Sequence, residues 1–168
     1  MKQQQRKPAM SMVSPVIRRR VASTKARVCE VAARKFNEES YAAVSVDSIV
    51  EAAGIARSSF YRFFRDKEDL LQQIIDPVFN LAVTELGRMS ADQPEGIVDG
   101  IAESYLQVWA KHRDGLVWSM KIGASLFPLV QKSHDRYVAA ILVLMERLHE
   151  ARMLRHDDPR MTARLLAL

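Results

Sequence analysis

An all-α chain is predicted from three observations. Glycine and proline are sparse, at six each in 168 residues, so little of the chain is punctuated as turn or strand end. Apolar residues recur at helical spacing, as in Leu70, Leu71, Ile74, Ile75, Val78 and Phe79, the stripe of a helix that packs one face inward. Helix-start signals also recur: Asp66 with Asp69, then Pro94-Glu95, Pro128 and Asp158-Pro159, each a capping residue or a proline suited to a first turn. The residues divide into a basic arm at 1–20, a compact unit of three short helices at 21–66, and a longer helical region at 67–168.

The first twenty residues carry Lys2, Arg6, Lys7, Arg18, Arg19 and Arg20 without one acid. The expectation is a disordered tail that follows a phosphate backbone or enters a minor groove, or else a solubilising extension. It lacks the apolar stretch of a signal peptide, and nothing further along reaches the length of a membrane span, so a cytoplasmic protein is expected. A first helix then turns Ala26, Val28, Cys29, Ala32 and Ala33 inward, with Cys29 a buried small hydrophobe.

From Ser45 to Leu71 the sequence reads SVDSIVEAAGIARSSFYRFFRDKEDLL. Val46, Ile49, Val50 and Ala53 stand at helical spacing, Gly54 supplies the left-handed residue that reverses the chain, and Ile55 fills the corner. The next piece, about Arg57 to Phe64, places Phe60 and Phe64 inward at i and i+4, leaving Arg57, Ser58, Tyr61, Arg62 and Arg65 mostly outward. This is the layout of a helix-turn-helix that reads DNA, although an arginine-rich face also serves solubility alone. Asp66 and Asp69 then stand in capping-box spacing before a long apolar helix. Lys67 in its first turn opposes the helix dipole, for which contact with a phosphate is one reason.

Pro77 is expected to kink that long helix, making a hinge or a simple curve. A further helix carries Ile97, Ile101, Tyr105, Leu106 and Trp109 to about Lys111. A short one spans Gly115 to Lys121, and a long one runs from Pro128 to about Arg152 with Tyr137, Ile141, Leu144, Met145 and Leu148 as its stripe. The last helix, from Pro159, stops on an apolar run at Leu168 without a C-terminal cap, as a helix cut short would.

Charge follows the same division. Residues 1–75 hold 14 Lys and Arg against 8 Asp and Glu, net +6, and residues 76–168 are near neutral at net −1. A basic front and a neutral rear suit a nucleic-acid module attached to a body with another task.

Residues 22–71 resemble the DNA-binding domain of the TetR family of bacterial transcriptional regulators. The resemblance rests on Ala32, Ala33 and Phe36, then Tyr41, Ser45-Val46, Ile49, Ala52-Ala53-Gly54-Ile55, Phe60-Tyr61, Phe64, Lys67-Glu68 and Leu70-Leu71, in order and in spacing. It implies that Tyr61 and Lys67 touch phosphates, that Ser45 opens the second helix against the DNA backbone, and that Arg57, Ser58, Ser59 and Arg62 face the groove. It also implies a helical ligand-binding and dimerisation domain behind, a double-stranded operator, a small effector and a homodimer. Two positions depart from the pattern. Ala56 cannot accept a hydrogen bond from the first turn that follows it, leaving Ser58 or water to compensate. Phe63 has no donor for a phosphate.

No nucleophile beside a base, glycine-rich phosphate loop or recognisable carboxylate pair is present, so an enzyme is not expected. His112, His134, His149 and His156 fall on separate segments without metal-ligand spacing, and no cofactor is expected. Tyr105, Trp109, Trp118, Met120 and Phe127 are candidates to line an apolar pocket for a small, mainly hydrophobic effector, or else they fill a bundle core. The function read from the sequence is a DNA-binding regulator, a repressor released by such an effector. The alternatives are a helical carrier or enzyme, and a protein-interaction module on the same fold.

Overall fold

The computed structural model describes residues 14–89, 96–154 and 158–167, and they are helical throughout, with no strand among them. The arm expected at residues 1–20 falls partly outside this set. Its last part is corrected: Pro15 takes the first-turn position of α1 (Pro15–Glu38), so Arg18, Arg19 and Arg20 lie on that helix. A proline's fixed φ favours a helix start, which the charge pattern alone did not reveal.

Two short helices follow, α2 (Val46–Ala52) and α3 (Arg57–Phe63), then α4 (Lys67–Gly87). Val28, Ala32, Phe36, Ile49, Phe60, Phe64, Leu70 and Leu71 close one core among these four helices. At 21 residues and about 1.5 Å per residue, α4 extends well beyond that core. Its first half belongs to the N-terminal unit through Ile74 and Ile75, and its second half enters the body through Val78, Ala82 and Leu86. Pro77 does not break it: α4 is one continuous helix through that position.

A kink lies in α5 (Ile97–Ser119), where His112 departs from helical geometry at φ −138° and ψ 36°. The two helices expected on either side of it are therefore one bent element. Past the bend, Gly115 comes so close to α4 that a Cβ there would stand 3.0 Å from Val78 Cγ2 and 3.2 Å from the Ile74 carbonyl oxygen. Any larger residue would push α5 off α4 where the N-terminal unit joins the body. The Asn37 side-chain amide donates to the Asp114 carbonyl across the same seam, at 2.9 Å.

The body is completed by α6 (Phe127–Glu150) and α7 (Pro159–Leu166). Ile141, Leu144, Met145 and Leu148 of α6 pack with Leu86, Ile97 and Ala163. A polar clasp fastens α6 to α4: the Ser133 hydroxyl donates to Asp76 at 2.7 Å, and Arg136 donates to Asn80 at 2.9 Å. Asp158 caps α7 by accepting from the Arg160 and Met161 amides. Among the described residues no helix is long and apolar enough to cross a membrane.

Cys29 is half-buried on α1, facing a cleft between α1, α4 and α5, rather than sealed in the core as expected. Burial still pushes its thiol up from 9.0 to about 11, an effect that Lys25 opposes and Glu30 adds to. Only the thiolate is nucleophilic. At pH 8, alkylation of the folded chain by iodoacetamide should therefore run roughly 100-fold slower than that of the unfolded chain, at tenfold per pKa unit. The raised pKa also means that this group's stabilising contribution, present in full below pH 9, is lost as pH climbs through about 11. A thermal melt of wild type against Cys29→Ala between pH 8 and 11 reads that difference.

Candidate nucleic-acid interface

The turn between α2 and α3 is built as its residues dictate. Ser45 caps α2, its hydroxyl oxygen accepting from the Ser48 amide at 3.1 Å, which leaves its own O–H to donate outward. After Ala53 the chain takes φ 61° at Gly54, and the Ile55 amide reaches back to the Val50 carbonyl at 3.0 Å. That bond closes a glycine-terminated helix end. Ile55 packs into the core behind it.

On α3 the inward and outward sets separate as the i, i+4 spacing requires. Phe60 and the residue that ends the helix, Phe64, are 0% and 1% exposed, with ring centroids 5.2 Å apart. Arg57, Ser58, Tyr61 and Arg62 are exposed, and Ser59 is partly covered. Phe63 is half-buried, and the Arg62 guanidinium lies 5.9 Å from its ring. This Phe thus gives its neighbouring arginine an apolar rest in place of a phosphate donor. Ala56 precedes α3 without a side-chain cap, and Ser58 does not supply one.

Two of the basic residues make contacts that the sequence did not show. Arg57 is paired: its Nη1 donates to Asp47 Oδ1 at 2.5 Å and its Nη2 to the Tyr61 hydroxyl at 3.3 Å. Lys67 points inward, its Nζ donating to the Tyr41 carbonyl at 2.7 Å and the Val44 carbonyl at 2.8 Å, with the Tyr41 ring centroid 4.2 Å away. Burial pushes this ammonium below the ordinary lysine value. Lys67 therefore latches the segment between α1 and α2 onto the start of α4, and two of its three protons are committed there. Lys67 thus has a part in holding the fold that the sequence did not show, beside the phosphate contact that the resemblance implies. Its carbonyl partners lie 23 and 26 residues away, beyond the reach of local pattern.

The cap of α4 is also shifted by one residue. Asp66 accepts from the Asp69 amide at 2.7 Å as expected, but Asp69 accepts from the Arg65 amide, at 2.8 Å, instead of from Asp66. Burial alone would raise the Asp69 carboxyl. The Arg65 amide, the Gln73 side chain and the charges of Arg65 and Lys25 outweigh it and hold the group below its usual value.

Behind this surface, α4, α5, α6 and α7 line a partly open cavity of about 390 Å³. Tyr105, Met120 and Phe127 line it as expected, together with Val78, Val108 and Tyr137. Trp109 and Trp118 do not. Trp109 is on the outer surface under Arg113, whose guanidinium is 5.2 Å from the ring. Trp118 is 4% exposed and packs on Phe36 and Tyr41, each at 6.0 Å between centroids. Helical periodicity places an aromatic residue inside but does not say which inside, and past its bend α5 is covered on two sides, by the cavity at Leu116 and Ser119 and by the N-terminal core at Trp118. The cavity's polar groups, Ser104, Ser119 and His134, were not foreseen. The His134 Nε2 lies 3.2 Å from the Ala167 carbonyl, while its Nδ1 is buried without a hydrogen-bond partner among the described residues, 4.0 Å from Asp135 Oδ1.

Comparison with known proteins bears on the same residues. Residues 28–74 match the family model of bacterial regulatory proteins of the tetR family. The transcriptional regulator EthR of Mycolicibacterium smegmatis is 32% identical over 91 residues, covering 52% of this chain and 42% of that protein. The chain thus spans about two fifths of the length of the curated relatives it matches. Among solved structures, SmeT in complex with triclosan superposes with a TM-score of 0.69 at 23% identity, over 86% of this chain and 75% of that one. AibR in complex with isovaleryl coenzyme A and operator DNA superposes with a TM-score of 0.67 at 14% identity, over 84% and 80%. At these identities the two structures establish the shared fold, which includes the helical body.

Proposed function

We propose that the chain, whose residues 28–74 match the family model of bacterial regulatory proteins of the tetR family, is a sequence-specific DNA-binding repressor of that kind, released from its operator by a small hydrophobic effector. The observation that carries this reading is the polarity of α3: Phe60 is sealed in the core while Tyr61, one residue on, is 48% exposed beside Arg57 and Arg62. A short helix so anchored fits the major groove, where arginine pairs with the O6 and N7 of guanine. Ser45, Ser58, Ser59 and Tyr61 are assigned to phosphates and flanking base edges, and Lys67 to holding α2 and α4 in register beneath them. Reaching DNA places the protein in the cytoplasm.

Two copies are needed to read a pseudo-palindromic site, with half-sites about 34 to 36 Å apart or a multiple of that. Exposed apolar residues on α6 and α7, Val143, Met161 and Leu165, are the surface assigned to a homodimer. The cavity lies where an effector would bear on both. Leu116 and Ser119 of α5, with Met120 just past its end, line it while Trp118 packs on Phe36 and Tyr41. An occupant that prefers a shifted α5 would move the N-terminal unit and change the spacing of the reading helices, since a ligand acts only through its differential affinity for two states. The largely apolar wall suits a hydrophobic molecule, as triclosan is for SmeT.

Selection of bound fragments from random duplexes tests the reading. The expected result is one enriched motif with two-fold symmetry. Failure to enrich any motif would overturn the proposal.

A further inference from the structure

We infer that Asp47 is a specificity-determining positioning residue, which holds the Arg57 guanidinium against Tyr61 on the outer face of α3 and so fixes the base edge that Arg57 reads. The inference rests on the reading of α3 as the groove-facing helix. Asp47 stands in the first turn of α2, where a carboxylate is favourable. From there it reaches across the turn to Arg57, the first residue of α3. Nη1 goes to Asp47, Nη2 to the Tyr61 hydroxyl, and the guanidinium centre sits 5.7 Å from the Tyr61 ring centroid. One side chain from α2 thus locks two from α3.

A pair so exposed, with side chains 57% and 67% accessible, adds little to folding stability. Its consequence is geometric. An unrestrained arginine loses considerable rotamer freedom when it docks, and it docks as readily on any phosphate as on a base. Held by Asp47, Arg57 meets DNA already ordered. The carboxylate accepts only and repels phosphate, so it penalises the sequence-independent contact while leaving the remaining guanidinium N–H groups for a base. Asp47 should therefore weaken binding to arbitrary DNA and sharpen binding to the operator.

The test is a double-mutant cycle read as the ratio of operator to scrambled-duplex affinity, for wild type, Asp47→Ala, Arg57→Ala and the double variant, with Asp47→Glu as the conservative replacement and thermal melts recorded for each. Asp47→Ala should lower the ratio roughly tenfold, within the range one arginine–guanine pair supplies, largely by tightening the scrambled complex. The effect should vanish in the Arg57→Ala background, and Asp47→Glu should recover most of the ratio. Equal changes on both duplexes, or the same change without Arg57, would overturn the inference while leaving the DNA-reading proposal intact. If wild type itself does not distinguish the two duplexes, the DNA-reading proposal falls and this inference with it.

Discussion

Phe60→Ala should destabilise the chain by about 3 to 5 kcal/mol, the usual cost of emptying a buried phenylalanine site, and should weaken binding to every duplex alike. Phe60 is fully buried, stands edge-on to Tyr61 at 5.3 Å between centroids and touches Phe64 at 5.2 Å. It is therefore both a keystone of the N-terminal core and the floor on which the exposed residues of α3 stand. Set against a typical domain stability of about 5 to 15 kcal/mol, such a loss would leave a large share of molecules unfolded or with α3 adrift. Urea denaturation with a DNA titration on the same sample separates the two outcomes. Phe60→Leu, which keeps most of the volume, should retain both stability and binding. A Phe60→Ala variant as stable as wild type would mean that α3 is not anchored as described.

Lys67→Met should cost about 1 to 3 kcal/mol, the range for hydrogen bonds from a charged donor in a site water still reaches. Methionine keeps an apolar stem against Tyr41 but cannot donate to the Tyr41 and Val44 carbonyls. With the latch gone, the segment before α2 loosens from α4, and operator and scrambled duplexes should both bind more weakly. The dependence on salt tells how. A residue that acts by holding the fold leaves the slope of log affinity against log salt unchanged, whereas loss of a phosphate contact flattens it by about one unit. With two protons turned inward, the unchanged slope is the expected result.

What the sequence disclosed is what local spacing encodes. Gly54 at positive φ, the i, i+4 pair Phe60 and Phe64, and the Asp66 cap each act within five residues, and each is where its pattern placed it. The features it hid depend on distant partners. Lys67 opposes its own helix dipole, which spacing alone reads as a poised cation, and its carbonyl partners become visible only when the segment between α1 and α2 folds back over it. Trp118 carries the same apolar signature as Tyr105, yet it faces the seam with α1 while Tyr105, and Leu116 and Ser119 on either side of Trp118, face the cavity. Asp47 reads as an ordinary first-turn acid until α3 is brought across from it. Pro77, the strongest breaker by sequence, sits in a helix held on both sides by the Ser133–Asp76 and Arg136–Asn80 bonds to α6, and that helix continues.

The most direct test of the central claim, that the exposed face of α3 reads DNA from a buried phenylalanine floor, is to repeat the random-duplex selection with Arg62→Ala. Arg62 is exposed and makes no ion pair among the described residues, so its removal should shift stability by no more than about 0.5 kcal/mol. The enriched motif should keep its symmetry and half-site spacing and lose its preference at one base pair in each half, at a cost of about 1 to 3 kcal/mol. A motif identical to that of wild type at every position would contradict the account.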